Sequence, residues 1–594
     1  MKTIDGRNLY YTFLAGAQNI FEHQSEINKI NVFPVSDHDT GTNLASTIRS
    51  VTNSLQPNQS IKNTADLIAE SALLGARGNS GIIFAQFLYG FSTEIADKPS
   101  INLSDFAESL CKSVKHVYQA VSEPVEGTML TVMREWTDFL YQRKEKYNDF
   151  RQAITESLDV LHRSLEETKN KLGVLTKHNV VDAGAKGFVL FIEGVFDLIK
   201  KGNLRQLRRK TSQVVDSSIQ EPDITDQDLT YRFCTEALIK DISINSDKLR
   251  KILGEFGDST VVAGSRHLRR IHVHTDKPSD LFSTLKDYGT MTFQKADDML
   301  RQHEVVHDRK YKIAVVTDST CDLDEKILDK YQIHMLPINI NFGENHYLDK
   351  VTIQPKQFYQ LLNTYPEFPT TSQINEQSFS NLYSRLISHY DSIIAIHLTS
   401  KFSGTFESSR SAAEKTREEY KNPISVVDSK NLSGGLGLLV LRIAQSIEKG
   451  HSHKKITESI PTWIDETRIF VSVRTLDYMV RGGRVSYAKG KIAKLLNINP
   501  IVSMDKEGNS DLFDKTFSQK SNMKKVMKTI IKETTGRQIW NYIIMHAQNS
   551  EAADWYSKEM ENLTGKVPVS TVNIAPVIGM NAGIGAAAVS FMLE

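Results

Sequence analysis

Cysteine is scarce in this chain. Cys111, Cys234 and Cys321 are the only three in 594 residues and lie far apart. That excludes a disulfide framework and points to a reducing compartment, the cytoplasm. No apolar run reaches the roughly 18 residues that a membrane-spanning helix needs. The opening MKTIDGRNLYYTF lacks the pattern of a secretory signal, so a soluble chain is expected. Neither sign of charge is in excess: 72 basic and 71 acidic side chains leave a formal net charge of +1. There is thus no electrostatic case for a nucleic-acid partner. Also missing is a G-x-x-x-x-G-K-[ST] loop, which excludes an ordinary P-loop nucleotidase. At roughly 150 residues per domain, three to four domains are expected.

Against these absences one stretch stands out, Asn31-Val-Phe-Pro-Val-Ser-Asp37-His38-Asp39-Thr-Gly-Thr42-Asn43. Pro34 and Gly41 mark it as a loop. Two carboxylates one residue apart can be aimed at one hard cation, because Mg²⁺ takes oxygen ligands. Thr42 and Asn43 add donors at a helix start, where phosphate is favoured. For either acid alone the plainer role is a helix cap. Apolar residues recur at helical spacing through residues 1–201, giving eight segments at 8–23, 41–55, 61–76, 79–95, 103–122, 128–147, 149–171 and 183–200. No βαβ alternation interrupts them, so an all-α domain is expected. Three further small-residue loops open helices: Gly75-Ala-Arg-Gly78-Asn-Ser80-Gly81, Gly127-Thr128-Met129, and Asp182-Ala-Gly-Ala-Lys-Gly187 with Asp182 placed as a cap.

Together, and in this order, the four loops resemble the DhaL-type kinase domain of FakA-like fatty acid kinases. The resemblance implies an eight-helix barrel with nucleotide at one end. It implies that Asp37 and Asp39 hold Mg²⁺ with Asn31 nearby, and that Thr42, Asn43, Ser80, Gly81, Thr128, Met129 and Asp182 line an ATP site. Family members usually carry Gly between the two acids; this chain has His38, a side chain where backbone freedom is the rule.

Residues 202–228 are polar, with the basic run Arg205 to Lys210, and read as a linker. Residues 229–310 read as a small α+β domain: strands at 231–239, 257–264 and 268–276, helices at 246–256 and 279–288. His272 and His274 alternate on a strand and so face one side. With Cys234 they form a donor set suited to Zn²⁺, although spacing alone is a weak signal. The strings F-C-T-E and H-V-H-T-D resemble the fatty acid kinase middle domain, which implies a Zn²⁺ site at Cys234, His272 and His274.

From residue 311 the period changes. Short apolar strands at Tyr311–Asp318, Ile333–Asn339, Ser392–His397 and Ile424–Val427 alternate with helices at Asn375–Ser388, Gly404–Tyr420 and Gly434–Lys449. That is an α/β pattern, and residues 311–594 suit two lobes. Ligands in such folds sit beyond strand carboxyl ends. Ser403 opens a helix there and can face a carboxylate, or act only as a cap. Arg481 and Arg484 can each fork onto an anion, or make surface ion pairs. The strings T-D-S-T, T-S-Q, S-G-T-F-E-S and R-G-G-R-x-S resemble the DegV family of FakB-like fatty-acid-binding proteins. The resemblance implies that Thr371 and Ser403 hold a fatty acid carboxylate while its chain fills an apolar tunnel. Arg484 would lie near the phosphate-accepting end. The family typically closes with T-H-x-G-P-G; here Asn581 stands where the His is expected. Asn donates a hydrogen bond but carries no proton charge at neutral pH.

The reading is a multidomain fatty acid kinase. ATP with Mg²⁺ phosphorylates a fatty acid carboxylate to acyl phosphate, with Asp37, Asp39 and Arg484 as the catalytic set. Thr371, Ser403, Arg484 and Asn581 hold the lipid. The two sites meet within one chain or across a homodimer, and an acyl-transfer enzyme at the membrane surface is the implied next partner. A fatty-acid carrier or sensor that only binds nucleotide is the alternative, resting on His38 and Asn581. A small-polyol kinase ranks third, since it leaves the DegV-like half without a role.

Overall fold

The computed structural model describes residues 2–33, 39–147, 149–201, 230–484 and 498–594. Asp37, His38 and the stretch 202–228 lie outside the described residues. All eight helices read from periodicity are present: Gly6–Glu22, Thr40–Ser54, Ile61–Gly75, Gly78–Glu94, Leu103–Ala120, Met129–Gln142, Phe150–Lys171 and Ala183–Lys201. Two more, Gln24–Lys29 and Gly173–His178, have six residues each, too few for a period to register. A two-stranded ribbon pairs Thr3–Asp5 with Ser100–Asn102. Starts follow local capping: Asp5 accepts from the Asn8 N–H at 2.8 Å, Asn102 from Asp105 at 2.9 Å and Asp149 from Arg151 at 2.6 Å.

The Gly6 helix packs on the Ala183 and Ile61 helices. From Ile61 the order runs through the Gly78, Leu103, Met129 and Phe150 helices back to Ala183. Aromatic rings fill the interior edge to face: Phe13 and Phe84 on Phe191, Phe87 and Trp136 on Phe188. Where the Gly6 and Ala183 helices cross, a Cβ at Gly194 would collide with the Ala15 carbonyl, so only glycine lets the backbones approach this closely.

The next segment forms a four-stranded sheet in the order Gly257–Gly264, Leu268–Thr275, Phe233–Lys240, Thr290–Asp298. The first three strands match the sequence reading. The fourth is additional, and its alternation is faint because only Met291 and Gln294 in it are buried. The sheet joins the helical core. Val261 and Ala263 belong to the same hydrophobic cluster as Ile82 and Leu73. The Ser122 N–H donates to the Thr260 carbonyl at 3.1 Å, and the Gly264 N–H to Gln86 Oε1 at 2.7 Å. Residues 1–277 and 285–297 accordingly form one unit, and residues 278–284 and 298–594 a second.

In the second unit the strand–helix alternation builds a parallel sheet in the order Ile424–Asp428, Ser392–His397, Ile313–Asp318, His334–Leu336. Pro337 ends the stretch expected as one strand over Ile333–Asn339, because proline gives no N–H to a ladder. The chain resumes as Asn339–Phe342 in another sheet, between Asn345–Leu348 and Thr370–Ser372. Thr371 therefore sits on an edge strand. A six-stranded sheet follows, Ser510–Thr516, Asn499–Met504, Thr467–Ser472, Ala587–Leu593, Ile539–His546 and Ser570–Asn573, antiparallel except for its last pair. The Ser433–Glu448 helix packs against strands of both larger sheets and is buried and apolar through its first two turns, while Arg442, Gln445 and Glu448 stand on a less buried side toward its carboxyl end. No described helix is long and apolar enough to cross a membrane.

Candidate functional site

In the first unit the amino ends of four helices converge. Asp39 holds the N-cap position before Thr40, yet its carboxylate makes no capping bond. The plain capping role is thus not the one it fills. The first turn is instead held by its neighbours: the Thr42 N–H donates to Asn28 Oδ1 at 3.1 Å, and Thr42 Oγ1 accepts from Asn28 at 3.0 Å and Gln24 at 3.2 Å. Thr40 Oγ1 donates to Asn31 Oδ1. Asn43 is buried against Gly78, whose φ of +58° and lack of space for a Cβ both require glycine. Gly81 packs on Asn43 and Thr47 in the same way. Around Gly184 three more expected residues meet: a Cβ there would lie 3.0 Å from Met129 Cε, 3.2 Å from Ser80 Oγ and 3.3 Å from Asp182 Oδ1. Thr128 caps the Met129 helix, its Oγ1 accepting from the Leu130 N–H at 3.4 Å. Asp182 accepts from the Ala185 N–H at 2.7 Å, the cap expected from sequence. Burial pushes its carboxyl up to about 6, against the N–H groups of Ala185 and Met129, which pull it down. The seven residues expected to line a nucleotide site are therefore gathered at positive helix ends, an arrangement suited to phosphate.

Sequence reasoning missed Glu236. This side chain is fully buried, and Oε1 accepts the Gly78 N–H at 2.7 Å. Oε2 takes Arg270 Nη2 at 2.5 Å. Burial is the largest influence and pushes the Glu236 carboxyl up, but Arg270, the His272 hydrogen bond and Lys295 together outweigh it and hold the group well below the usual range. Arg270 also lies over Phe293, 4.5 Å from the ring centre. A charged residue in the middle of the otherwise apolar Thr235–Ile239 run was the available signal.

Register puts Cys234 opposite His274 and Glu236 opposite His272, so all four share one sheet face. The ligand atoms of Cys234, His272 and His274 lie within 4.8 Å of one another, with Cys234 Sγ 3.9 Å from His272 Nδ1. His272 Nε2 is buried without a partner, an orphan that a metal would satisfy. Burial, then the His272 charge, lowers His274 to about 3, which keeps its imidazole neutral. Burial first, and then Glu236, Asp297 and Asp39 among its neighbours, push the Cys234 thiol up. A cysteine sulfur, bound as thiolate, and two imidazoles are a donor set that fits Zn²⁺.

The second unit holds a cavity of ≈ 250 Å³. Thr371, Ser403, Arg484 and Asn581 all line it. Its other walls are mainly apolar, Ile338, Leu432, Ile469, Val471, Ile574 and Val577 among them. Ser403 Oγ accepts the Thr405 N–H at 3.2 Å from one residue before the N-cap position, which Gly404 holds, and it lines the cavity. Among the described residues Arg484 donates only to carbonyls, those of Gly482 and Phe402. Asn581 Nδ2 donates to the Val577 carbonyl at 3.1 Å, leaving Oδ1 buried without a partner. Buried charge fixes the surrounding loops. Asp318 of the T-D-S-T string accepts from the Thr320 N–H at 3.0 Å and the Leu398 N–H at 2.9 Å, pinning the turn that leads to Ser403. Asp322 accepts from Ser433 Oγ at 2.6 Å and the Ala575 N–H at 3.1 Å, and pairs with Lys350 at 2.8 Å. This ties down the Pro576–Ala582 helix that carries Asn581. Asp318 was read only as part of a motif, and Asp322 and Lys350 were not read at all.

Comparison with known proteins matches three stretches of the chain. A DAK2 domain model matches residues 34–197, a FakA-like fatty acid kinase middle-domain model residues 230–306, and an uncharacterised-protein model of the DegV family residues 312–594. An uncharacterized protein of Staphylococcus saprophyticus is 32% identical over 338 residues, 55% of this chain and 61% of that protein. Protein YloV of Bacillus subtilis is 32% identical over 326 residues, 53% of this chain and 59% of that protein. The chain therefore spans about three fifths of these relatives' length. Among solved structures, a DegV family protein from Thermus thermophilus described by its fatty acid binding aligns at a TM-score of 0.44 and 26% identity, over 48% of this chain and 100% of that one. DegV from Bacillus subtilis, described as a fatty acid binding protein, aligns at 0.43 and 28%, over the same shares.

Proposed function

From a chain that joins a DAK2 domain, a FakA-like middle domain and a DegV-family segment, we propose an ATP-dependent fatty acid kinase. A carboxylate oxygen of the fatty acid attacks the γ-phosphorus of ATP. The bond to the β–γ bridging oxygen breaks, and acyl phosphate and ADP result. The division of labour follows the sequence reading: residues 1–201 bind ATP as an eight-helix barrel, 202–228 link, 229–310 form the middle domain and 311–594 hold the lipid. The cyclic packing order of the helices supports the barrel.

One observation carries the reading. Four polar residues from four separate segments, Thr371, Ser403, Arg484 and Asn581, line one largely apolar cavity, which is what an acid with a long alkyl chain requires. Thr371 and Ser403 hold the carboxylate by hydroxyl donation. Arg484 has no acid partner among the described residues and draws negative charge toward it. Asn581 hydrogen-bonds the head group without giving up a proton. At the other site Asn43, Ser80 and the converging helix ends orient the phosphates, positioning being most of what phosphoryl transfer asks of a protein. Mg²⁺ held by Asp39, with Asp37 assigned on sequence alone, would neutralise charge on the phosphate oxygens. Cys234, His272 and His274 would hold Zn²⁺ with a fourth position open.

Incubation with ATP, Mg²⁺ and oleate tests the proposal, with acyl phosphate trapped by hydroxylamine. Hydroxamate that depends on all three components is the expected result. Intact oleate binding with neither ATP turnover nor hydroxamate would leave the carrier reading, which the unpartnered Asn581 Oδ1 in place of a titratable imidazole favours.

A further inference from the structure

The second unit has another cavity, of ≈ 170 Å³, that the kinase reading does not use. It lies where the Ser433–Glu448 and His453–Asp465 helices meet the start of the Ile539–His546 strand. Arg442, Lys449, Lys455 and His451 line it, and no acidic residue does. Arg442 is half-buried and lies over two indoles, its guanidinium carbon 4.6 Å from the Trp540 ring centre and 5.4 Å from that of Trp463. Its hydrogen-bond acceptors are neutral, Met592 Sδ at 3.4 Å and the Leu593 carbonyl at 3.5 Å. Burial lowers this guanidinium, and Glu594 is the one acid pulling the other way.

A half-buried cation with no carboxylate at hydrogen-bond distance is costly unless something neutralises it. Cation–π contact with two indoles recovers a part. The carboxyl end of the Ser433–Glu448 helix adds only partial negative charge, and Lys449 and Lys455 bring two further permanent cations against it. Neither lysine has an ion pair among the described residues. The indole faces are occupied by Arg442, so a ligand meets the guanidinium fork rather than stacking. Gln445 and Ser459 border the same space with neutral donors. Three permanent cations, a planar fork and neutral donors match the oxygens of a doubly charged phosphate group.

We propose that this cleft is a second ligand site, recognising the phosphate group of a small phosphomonoester or of a lipid headgroup. The indoles supply the readout, since Trp463 and Trp540 are two of the chain's four tryptophans. The full-length protein is titrated with inorganic phosphate, with chloride at matched ionic strength as the control, while indole fluorescence is followed. In parallel it is sedimented with phosphatidylcholine vesicles, with and without phosphatidic acid. A saturable phosphate response without vesicle binding identifies a free phosphomonoester; phosphatidic-acid-dependent sedimentation identifies a headgroup. In either case the exposed pair Lys449→Ala/Lys455→Ala, which leaves the core untouched, weakens binding by about tenfold or more, and Arg442→Met abolishes the fluorescence response. No saturable response to phosphate together with no preference for phosphatidic acid overturns the proposal. So does an unchanged affinity in the lysine pair.

Discussion

The corner of the first unit where helix amino ends converge and the cavity of the second are built on opposite terms. At the corner, polar groups are already engaged with one another: Glu236 holds both Gly78 and Arg270, Asn28 holds Thr42, and Asp182 holds Ala185. At the cavity most of the lining is hydrocarbon, and the polar side chains that reach it keep capacity in reserve, as Asn581 Oδ1 does. The first arrangement fixes geometry before a ligand arrives, which suits a reaction limited by placement. The second leaves space and lets apolar burial supply the affinity. Damage to the two should therefore look different: lost stability or lost turnover at the corner, graded lost affinity at the cavity.

The strongest contrast comes from Glu236→Ala, which strands the Arg270 charge inside the first unit. Breaking a buried pair this way costs about 3–5 kcal/mol. Urea unfolding should show the first unit's transition moving to lower denaturant while oleate binding persists. A shift common to both units would abolish the contrast. Next is Asp39→Asn, which should cut ATP turnover by on the order of a hundredfold or more without changing oleate affinity. Isothermal titration with oleate beside an ATPase assay separates the two, and lost oleate binding would mean the sites are not separate.

Asp182 sharpens the comparison through pH. Its folded-state value of about 6 lies above the ordinary 3.8. The folded chain thus binds the extra proton between these values, and stability is full below about pH 4 and falls as pH rises through about 6. Asp182→Asn keeps an acceptor for the Ala185 N–H but cannot ionise. Melting temperatures across that range should be flatter in the variant, recovering about 2 kcal/mol at neutral pH; parallel curves would count against the assignment. The smallest effect is expected for Ser403→Ala, about tenfold weaker oleate binding with ATP affinity unchanged. Unaltered oleate affinity would remove Ser403 from the lipid site.

Much of the helical architecture was legible because most of these helices bury an apolar stripe, and several, such as those after Asp5, Asn102 and Asp149, begin at a readable cap. The pairing of His272 with His274 was legible too, since strand alternation sets which residues share a face, whereas Cys234 joined them only through the resemblance until the strand register placed it opposite His274. What escaped reading depended on partners remote in sequence. Glu236 is informative only once it is known to lie beside Gly78, 158 residues away. The Thr290–Asp298 strand escaped because so few of its residues are buried, and Pro337 split one expected strand into two. The cavity could be named from its motif residues but not drawn. Its volume is set by apolar side chains such as Ile338, Ile469 and Val577, which in sequence look like any other core.

The bond from Glu236 to Gly78 bears on how the protein is dissected. Cutting the chain after Lys201 yields a tidy helical fragment, but one whose Gly78 amide has lost its acceptor and whose Val261 and Ala263 side of the core is bared to water. Nucleotide affinities measured on such a fragment would report a loosened loop rather than the native one, and boundaries for expression belong beyond the Thr290–Asp298 strand.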